Sequence, residues 1–371
     1  MSLRIQVDAR LLRGGGIGRY IREITGRWLS RPEVAAVRFM GRPEELEPFL
    51  EERDPRRVAE ILPWTDGPYS PVAQLRWPFL ARRSWEPDVS FFPHYDVPLV
   101  GFPAPSLVAI HDLIHFQRPE GFPGWKRVLG QVLMRKALES ATAVVTVSET
   151  SRHTICDWMP AAKGKIHVVK NGVGAEFRPL SAEERVAARD RWTGLEPFVL
   201  CVGPNKPHKN LAHAAAVLSH LPMNEGWRLV LVGPSEADRD RLLASFGRPE
   251  LGARTVVTGR VSDEDLRSLY GLAAAVLVPS RLEGFGLPVV EARACGTRVL
   301  VPDLPWAREV AQEGVTLMPG WNAKAWAEEI RISREVPPLS TRPEWGWAAA
   351  ADRTFEALRH AREVGERAPV L

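Results

Sequence analysis

The chain has 371 residues, 49 lysines and arginines against 45 aspartates and glutamates, a formal net charge of +4 and 45% hydrophobic content. Single cores stop growing beyond about 250–300 residues, so two domains are expected. The apolar and charged fractions are those of soluble globular proteins, and no run nears the ~18 apolar residues of a membrane span, which excludes disordered, fibrous and membrane-spanning classes.

From its first residues, MSLRIQVDARLL, the chain enters a strand-like pattern without the plan of a signal peptide. Strands are predicted over 3–7, 35–39, 88–92, 107–111, 143–147 and 166–169, then over 198–202, 228–232, 255–258, 275–278, 298–301 and 315–318. Between them run helical periodicities. Ile17, Tyr20, Ile21, Ile24 and Trp28 make one apolar stripe. Ser262 with Asp265 reads as a capping box, opening a helix that turns Leu266, Leu269, Tyr270 and Ala273 inward. Near-continuous apolar strands alternating with helices imply parallel, doubly wound sheets covered on both faces. The boundary is placed near 172–195, where the chain is turn-rich and then charged. This divides it into 1–175, 176–345 and a last helix over 346–371. Cys156, Cys201 and Cys295 lie too far apart in sequence for a disulfide framework or a zinc set, which predicts a cytoplasmic setting.

Three segments carry chemistry. After the first strand, Arg13-Gly14-Gly15-Gly16-Ile17-Gly18 opens a helix, and glycine amides at a helix start suit a phosphate or diphosphate. A dinucleotide fits less well, since the second strand ends in Arg38 and Phe39 with no carboxylate for a ribose. The second segment, VGPNKPHKN over 202–210, repeats the arrangement with Lys206, His208 and Lys209, and Asn210 is expected to cap the next helix. A lysine there neutralises a departing phosphate. The third and most specific is PSRLEGFGLPVVEA, over 279–292. Glu283 suits hexose hydroxyls and Glu291 a ribose diol. Gly284 and Gly286 leave the amides around Phe285 and Leu287 open.

These segments resemble glycosyltransferase family 4, a retaining, nucleotide-sugar-dependent group with the two-domain GT-B fold. The resemblance rests on the E-x7-E stretch from Glu283 to Glu291, on TGRVSDEDLRSLY (258–270), Lys209-Asn210, GGGIGRY and Ala109-Ile110-His111-Asp112-Leu113. It implies an α/β fold of two facing Rossmann-like domains, the first on the acceptor side, the second binding the donor. WGWAAAADRTFEALR (345–359) resembles the family's closing segment, which in many members returns to the first domain. The resemblance also implies roles. Glu283 would hold sugar hydroxyls beside Gly284, Phe285, Gly286 and Leu287. Glu291 would hold the ribose, with Arg260 and Val261 beside the base. Gly15, Gly16 and Lys209, with Asn210, would meet the diphosphate. His111, with Lys209 and Glu283, would belong to the reacting centre, and His94 and Asp112 to the acceptor side. From position alone, His111 is equally a packed structural residue, with Asp112 orienting it. Many members carry arginine just after the glycine of the 202–210 loop. Here Pro204 stands instead, and Lys206 or protonated His208 would supply the charge.

The implied reaction transfers a mannose-like hexose from a nucleoside diphosphate to a glycan or lipid-linked acceptor in surface polysaccharide assembly. No metal or other cofactor is expected, because the D-x-D of Asp238-Arg239-Asp240 falls in a charged helix that reads as solvated. Rival readings are a sugar-nucleotide epimerase or phosphorylase on this fold, an NAD(P)-dependent oxidoreductase and a non-enzymatic binding module. The oxidoreductase leaves EGFGLP-x-x-E unexplained. The basic excess is local: residues 1–175 hold 24 basic and 19 acidic side chains, the remainder 25 and 26. Arginines beside tryptophans in 77–85 and 121–138 suit an anionic membrane surface better than nucleic acid, so a peripheral membrane contact is expected.

Overall fold

The computed structural model describes all residues except 1, 53–57, 68, 81–85, 101, 104, 115–123, 334–344 and 368–371. The chain divides into two compact units, Met1–Gly172 with Trp345–Leu371, and Val173–Glu344.

The first unit holds a parallel sheet of seven strands, β1 (Leu3–Asp8), β2 (Val34–Gly41), β3 (Val58–Pro63), β4 (Val89–Phe92), β5 (Ser106–Ile110), β6 (Ala143–Thr146) and β7 (Ile166–Val168). Their order is β3-β2-β1-β4-β5-β6-β7. Every residue of β4, β5 and β6 is buried, as a sheet covered on both faces requires. Helices α1 (Gly15–Trp28), α2 (Pro43–Glu51), α3 (Pro71–Leu80), α4 (Gly124–Ser140) and α5 (Glu149–Trp158) follow in chain order. The apolar stripe of α1 is buried at Tyr20, Ile21, Ile24 and Trp28. Strand β3 was not expected from the sequence. It is an edge strand ending in a proline, and Val-Ala-Glu-Ile-Leu-Pro lacks the continuous apolar run of its neighbours.

The second unit has six parallel strands, β8 (Phe198–Val202), β9 (Arg228–Val232), β10 (Thr255–Gly259), β11 (Ala275–Leu277), β12 (Val299–Pro302) and β13 (Val315–Met318), in the order β10-β9-β8-β11-β12-β13. Its helices are α6 (Ala182–Arg191), α7 (Leu211–Ser219), α8 (Glu236–Ser245), α9 (Pro249–Ala253), α10 (Asp263–Leu272), α11 (Leu287–Ala294), α12 (Pro305–Val310) and α13 (Ala323–Ser333). Ser262 caps α10 by accepting the Asp265 amide at 3.0 Å. The Asp265 carboxylate, however, pairs with Arg191 at 2.8 Å instead of closing a box.

The last helix, α14 (Trp347–Arg367), belongs to the first unit and packs on α1, β4, β5 and β6. Trp28 donates through Nε1 to the Ala351 carbonyl at 3.2 Å, Arg31 pairs with Asp352, and the Arg31 guanidinium lies 4.5 Å above the Phe355 ring. Seven of the tryptophans, among them Trp28, Trp227, Trp326 and Trp347, are core residues. Among the described residues no helix is long and apolar enough to cross a membrane.

Both sheets reverse strand order once, between β1 and β4 and between β8 and β11. In open α/β sheets the crevice at such a point, outside the carboxyl ends of the strands, receives ligands. The loops after these four strands carry most of the residues singled out from sequence.

Candidate functional site

In the second unit the loops after β8 and β11 meet at the switch point. Gly203 has φ +144°, and a Cβ there would lie 3.3 Å from the Lys209 stem, so glycine leaves the lysine its path across the loop. Nζ of Lys209 donates to Oε1 of Glu283 at 2.7 Å, with side-chain exposures of 14% and 9%. A backbone bond from the Arg281 amide to the His208 carbonyl, 2.7 Å long, ties the same two loops. The phosphate-binding candidate and the sugar-binding candidate thus neutralise each other.

The glycine–aromatic–proline segment explains itself locally. Phe285 is buried and anchors the loop. Gly286 takes φ +90°, and a Cβ would press on the Trp306 ring at 3.2 Å. Helix α11 then starts at Leu287 with Pro288 in its first turn and no acidic residue there. Its N-terminus thus presents an uncompensated positive dipole end. Glu291 sits on this helix, buried, with Oε2 accepting from the Tyr270 hydroxyl at 3.0 Å. Arg260 is exposed and Val261 half-buried, directly after edge strand β10.

Asn210 departs from expectation. It stands at the N-cap of α7 but makes no side-chain capping bond, because its backbone is left-handed, with φ 53° and ψ 43°. That conformation turns its amide away from the first-turn N–H groups, and asparagine tolerates it better than most residues. Lys206 is exposed, and its charge helps lower the Asp238 carboxyl, whose main partner is the Ser235 hydroxyl. Asp238 also pairs with Arg241, so this carboxylate is already occupied.

In the first unit the loops after β1, β4 and β5 converge. Gly15 has φ +52° and Gly16 is exposed; α1 begins here without an acidic first turn. The Gly15 amide donates to the Arg13 carbonyl at 3.1 Å. Gly18 has no room for a side chain, since a Cβ would lie 2.3 Å from the Leu12 carbonyl oxygen.

His111 follows β5. Its Nε2 lies 2.9 Å from the Pro93 carbonyl, which only accepts, so Nε2 carries the proton and Nδ1 keeps a lone pair. Burial lowers the imidazole below the usual histidine range, opposed by the Pro93 bond and by Asp112. Asp112 does not hydrogen-bond the ring in the role expected of it. Its Oδ1 accepts the Ile114 amide at 3.1 Å, and Pro93 does the orienting.

His94 lies in the loop after β4, on the wall of a small cavity formed with Asp8, Arg10, Leu11, Pro93 and Asp96. Its Nδ1 accepts the Asp96 amide at 3.1 Å, and its ring stacks on Tyr95 at 4.1 Å. Arg10 is almost completely buried between two carboxylates, 2.7 Å from Asp8 and 3.1 Å from Asp96. Asp96 also accepts the amide of Tyr69, a residue held at φ +62° whose hydroxyl donates to Tyr95 at 3.0 Å. Sequence reading passed over Asp8, Arg10, Tyr69 and Asp96. The signal available was a charged Asp-Ala-Arg directly after a buried strand.

The predicted residues are thus gathered in two groups: Lys209 with Glu283, flanked by the α11 start, in the second unit, and His111 with His94, flanked by the α1 start, in the first.

Residues 14–177 match the Glycosyltransferase Family 4 domain and residues 184–343 the Glycosyl transferases group 1 domain. The O-antigen chain mannosyltransferase RfbU of Salmonella typhimurium strain LT2 is 26% identical over 249 residues, covering 67% of this chain and 65% of that protein. The D-inositol 3-phosphate glycosyltransferase 1 of Catenulispora acidiphila is 34% identical over 233 residues, covering 56% and 55%. The chain therefore spans less than two-thirds of these curated relatives. The crystal structure of Anabaena HepE in complex with UDP and glucose superposes with a TM-score of 0.69 at 19% identity, covering 98% of each chain, a likeness of fold. With both domains present in order, and with a GT-B architecture of two parallel-sheet units, the chain belongs to glycosyltransferase family 4.

Proposed function

We propose that the protein transfers a hexose, mannose-like by its relatives, from a nucleoside diphosphate to a hydroxyl of a glycan or lipid-linked acceptor, with retention at the anomeric carbon. The observation that carries this reading is the Lys209–Glu283 pair at the switch point, beside the N-terminus of α11. A diphosphate draws Lys209 away from Glu283 and releases the carboxylate to accept two sugar hydroxyls. The bond between the anomeric carbon and the diphosphate oxygen breaks, leaving oxocarbenium character on the sugar and negative charge on the phosphate. The acceptor oxygen attacks from the same face, and its proton passes to the departing phosphate oxygen. Lysine and helix-start amides stabilise the leaving group electrostatically. Nδ1 of His111 is an acceptor for a sugar hydroxyl on the first unit's side. A mannosyl donor is favoured by the mannosyltransferase named above, and a nucleotide-sugar donor is supported by the HepE complex.

The reading assigns the phosphate charge to Lys209, Lys206 and backbone amides, with no metal, so turnover is expected to persist in EDTA. A lipid-linked acceptor would bring the protein to a membrane face. Helix α4 presents Trp125, Val128 and Val132 to solvent at 63%, 55% and 46% exposure, beside Arg127 and Arg135, a pattern that fits an anionic bilayer. The basic segment over 81–85 lies outside the described residues.

The test is a panel of nucleotide sugars scored by diphosphate release with and without acceptor glycans, on wild type, Lys209→Ala and Glu283→Ala. Acceptor-dependent release lost in both variants supports the reading. Release without acceptor, phosphorolysis, or variants that match wild type would refute it.

A further inference from the structure

We infer that Tyr20, held from behind by the C-terminal helix, is a positioning residue for His111, so that the last helix of the chain sets the geometry of this imidazole. The inference rests on the proposed substrate-facing role of His111.

The His111 ring is fixed on two sides. On one, Nε2 bonds the Pro93 carbonyl at 2.9 Å. On another, Tyr20 meets the ring edge-to-face, with centroids 4.7 Å apart and planes at 83°. A single hydrogen bond leaves a ring free to rock about it. A perpendicular aromatic contact removes that freedom. Tyr20 is itself immobilised. Only 1% of it is exposed, and its hydroxyl hydrogen-bonds Thr354 on α14. Trp347, the first residue of that helix, packs against Tyr20 at 6.3 Å and 69°.

The helix start has no slack. A Cβ on Gly172 would fall 2.0 Å from the Trp347 amide nitrogen, so the exit of the first unit and the start of α14 lie backbone to backbone. Further along, Trp28 bonds the Ala351 carbonyl and packs on Phe355 at 5.9 Å, locking α1 to α14. Tyr20 and Trp28 both lie on α1, whose first residues are the glycine loop. One helix face thus connects the C-terminal segment, the glycine loop and His111. The carboxylate acting on the ring is Asp112, while Tyr20, Trp347 and Pro93 carry no charge at neutral pH.

The deciding experiment follows the His111 ring titration by NMR with labelled histidine, alongside steady-state kinetics. The proteins are wild type, Tyr20→Phe, Tyr20→Leu and Thr354→Val, each also in a His111→Gln background. Tyr20→Phe keeps the ring and is expected to retain turnover within about twofold. Tyr20→Leu is expected to move the His111 midpoint upward, toward the ordinary histidine value, and to lower kcat about tenfold with donor KM little changed, since small misplacements of a reacting group are costly. In the His111→Gln background it should add no further loss. Thr354→Val, which leaves the core volume intact and breaks the same hydroxyl bond as Tyr20→Phe, should with it move the His111 midpoint by a smaller amount in the same direction, and this pair serves if Tyr20→Leu fails to fold. An unmoved His111 midpoint in these variants, or an equal loss of kcat in the His111→Gln background, overturns the inference. If His111→Gln alone turns over like wild type, the role of His111 fails, and the NMR midpoints still decide whether Tyr20 positions the ring.

Discussion

Breaking the Lys209–Glu283 pair tests two roles separately, stability and the proposed donor binding. At 2.7 Å and an effective dielectric of 20, the Coulomb attraction is about 6 kcal/mol, and desolvation offsets much of it. Removing one partner leaves the other charge with little solvent to replace it, since the side chains are 14% and 9% exposed. Lys209→Met alone and Glu283→Gln alone are therefore each expected to destabilise the second unit by about 3 kcal/mol, the low end for buried pairs. For a unit of roughly 170 residues this lowers Tm by about 6–12 °C. The double variant, left without an orphaned charge, should recover most of that loss while remaining unable to bind a nucleoside diphosphate. Differential scanning calorimetry gives the cycle, and titration calorimetry with UDP and GDP gives the binding. If the single losses add within about 0.5 kcal/mol, the two groups are not energetically coupled and the reasoning fails.

Other expectations are as direct. Gly18→Ala should unfold or strongly destabilise the first unit, because its methyl would lie 2.3 Å from a backbone oxygen, whereas Gly16→Ala, at an exposed position of α1, should fold normally; thermal melts distinguish them. Burial and the Arg281 charge lower the buried His213 to about 4. Between about pH 6.5 and 4 the unfolded chain therefore binds a proton that the folded one does not, so stability falls with pH across that window, by about 3 kcal/mol at most. Urea titrations at pH 7 and 4.5 of wild type against His213→Leu should show a smaller acid loss in the variant. Wild type is expected to bind anionic liposomes saturably at low salt. Trp125→Ser with Val132→Ser should weaken this severalfold without touching the Tm, and equal binding by that variant removes α4 from the contact.

Much of the fold was legible because parallel strands buried on both faces are written as continuous apolar runs, as in Phe198–Val202 and Arg228–Val232. Where a strand is half-covered the signal thins, and Val58–Pro63 escaped for that reason. Helix starts were legible as residue types but not as conformations. Asn210 occupies the expected N-cap position, yet its left-handed backbone denies the side-chain bond that the residue type suggests. The tryptophans show the same limit. Their place beside arginines suggested a surface for Trp77 and Trp125, whereas Trp77 is buried in the core and Trp125 is exposed. A local pattern fixes what a residue prefers, while burial is decided by elements distant in sequence.

That distinction also separates the two groups of candidate residues, one in each unit. In the second unit the chemistry and most of its support lie in two short segments, 202–210 and 279–292. Gly203 makes room for Lys209, Gly286 fits against Trp306, and Lys209 and Glu283 pair across the two segments. Of these the E-x7-E stretch encodes Glu283 and Gly286, while Lys209 comes from a loop 74 residues earlier. In the first unit the chemistry is a single ring after β5, and its supports come from Pro93, from Tyr20 on α1 and, behind Tyr20, from a helix that begins at Trp347. No motif around His111 can carry that information. The imidazole acquires one tautomer and one plane only when four separate stretches of chain have packed. Its geometry is therefore a tertiary property, sensitive to substitutions more than 230 residues away in sequence, while the Lys209–Glu283 pair is held by two loops of the second unit.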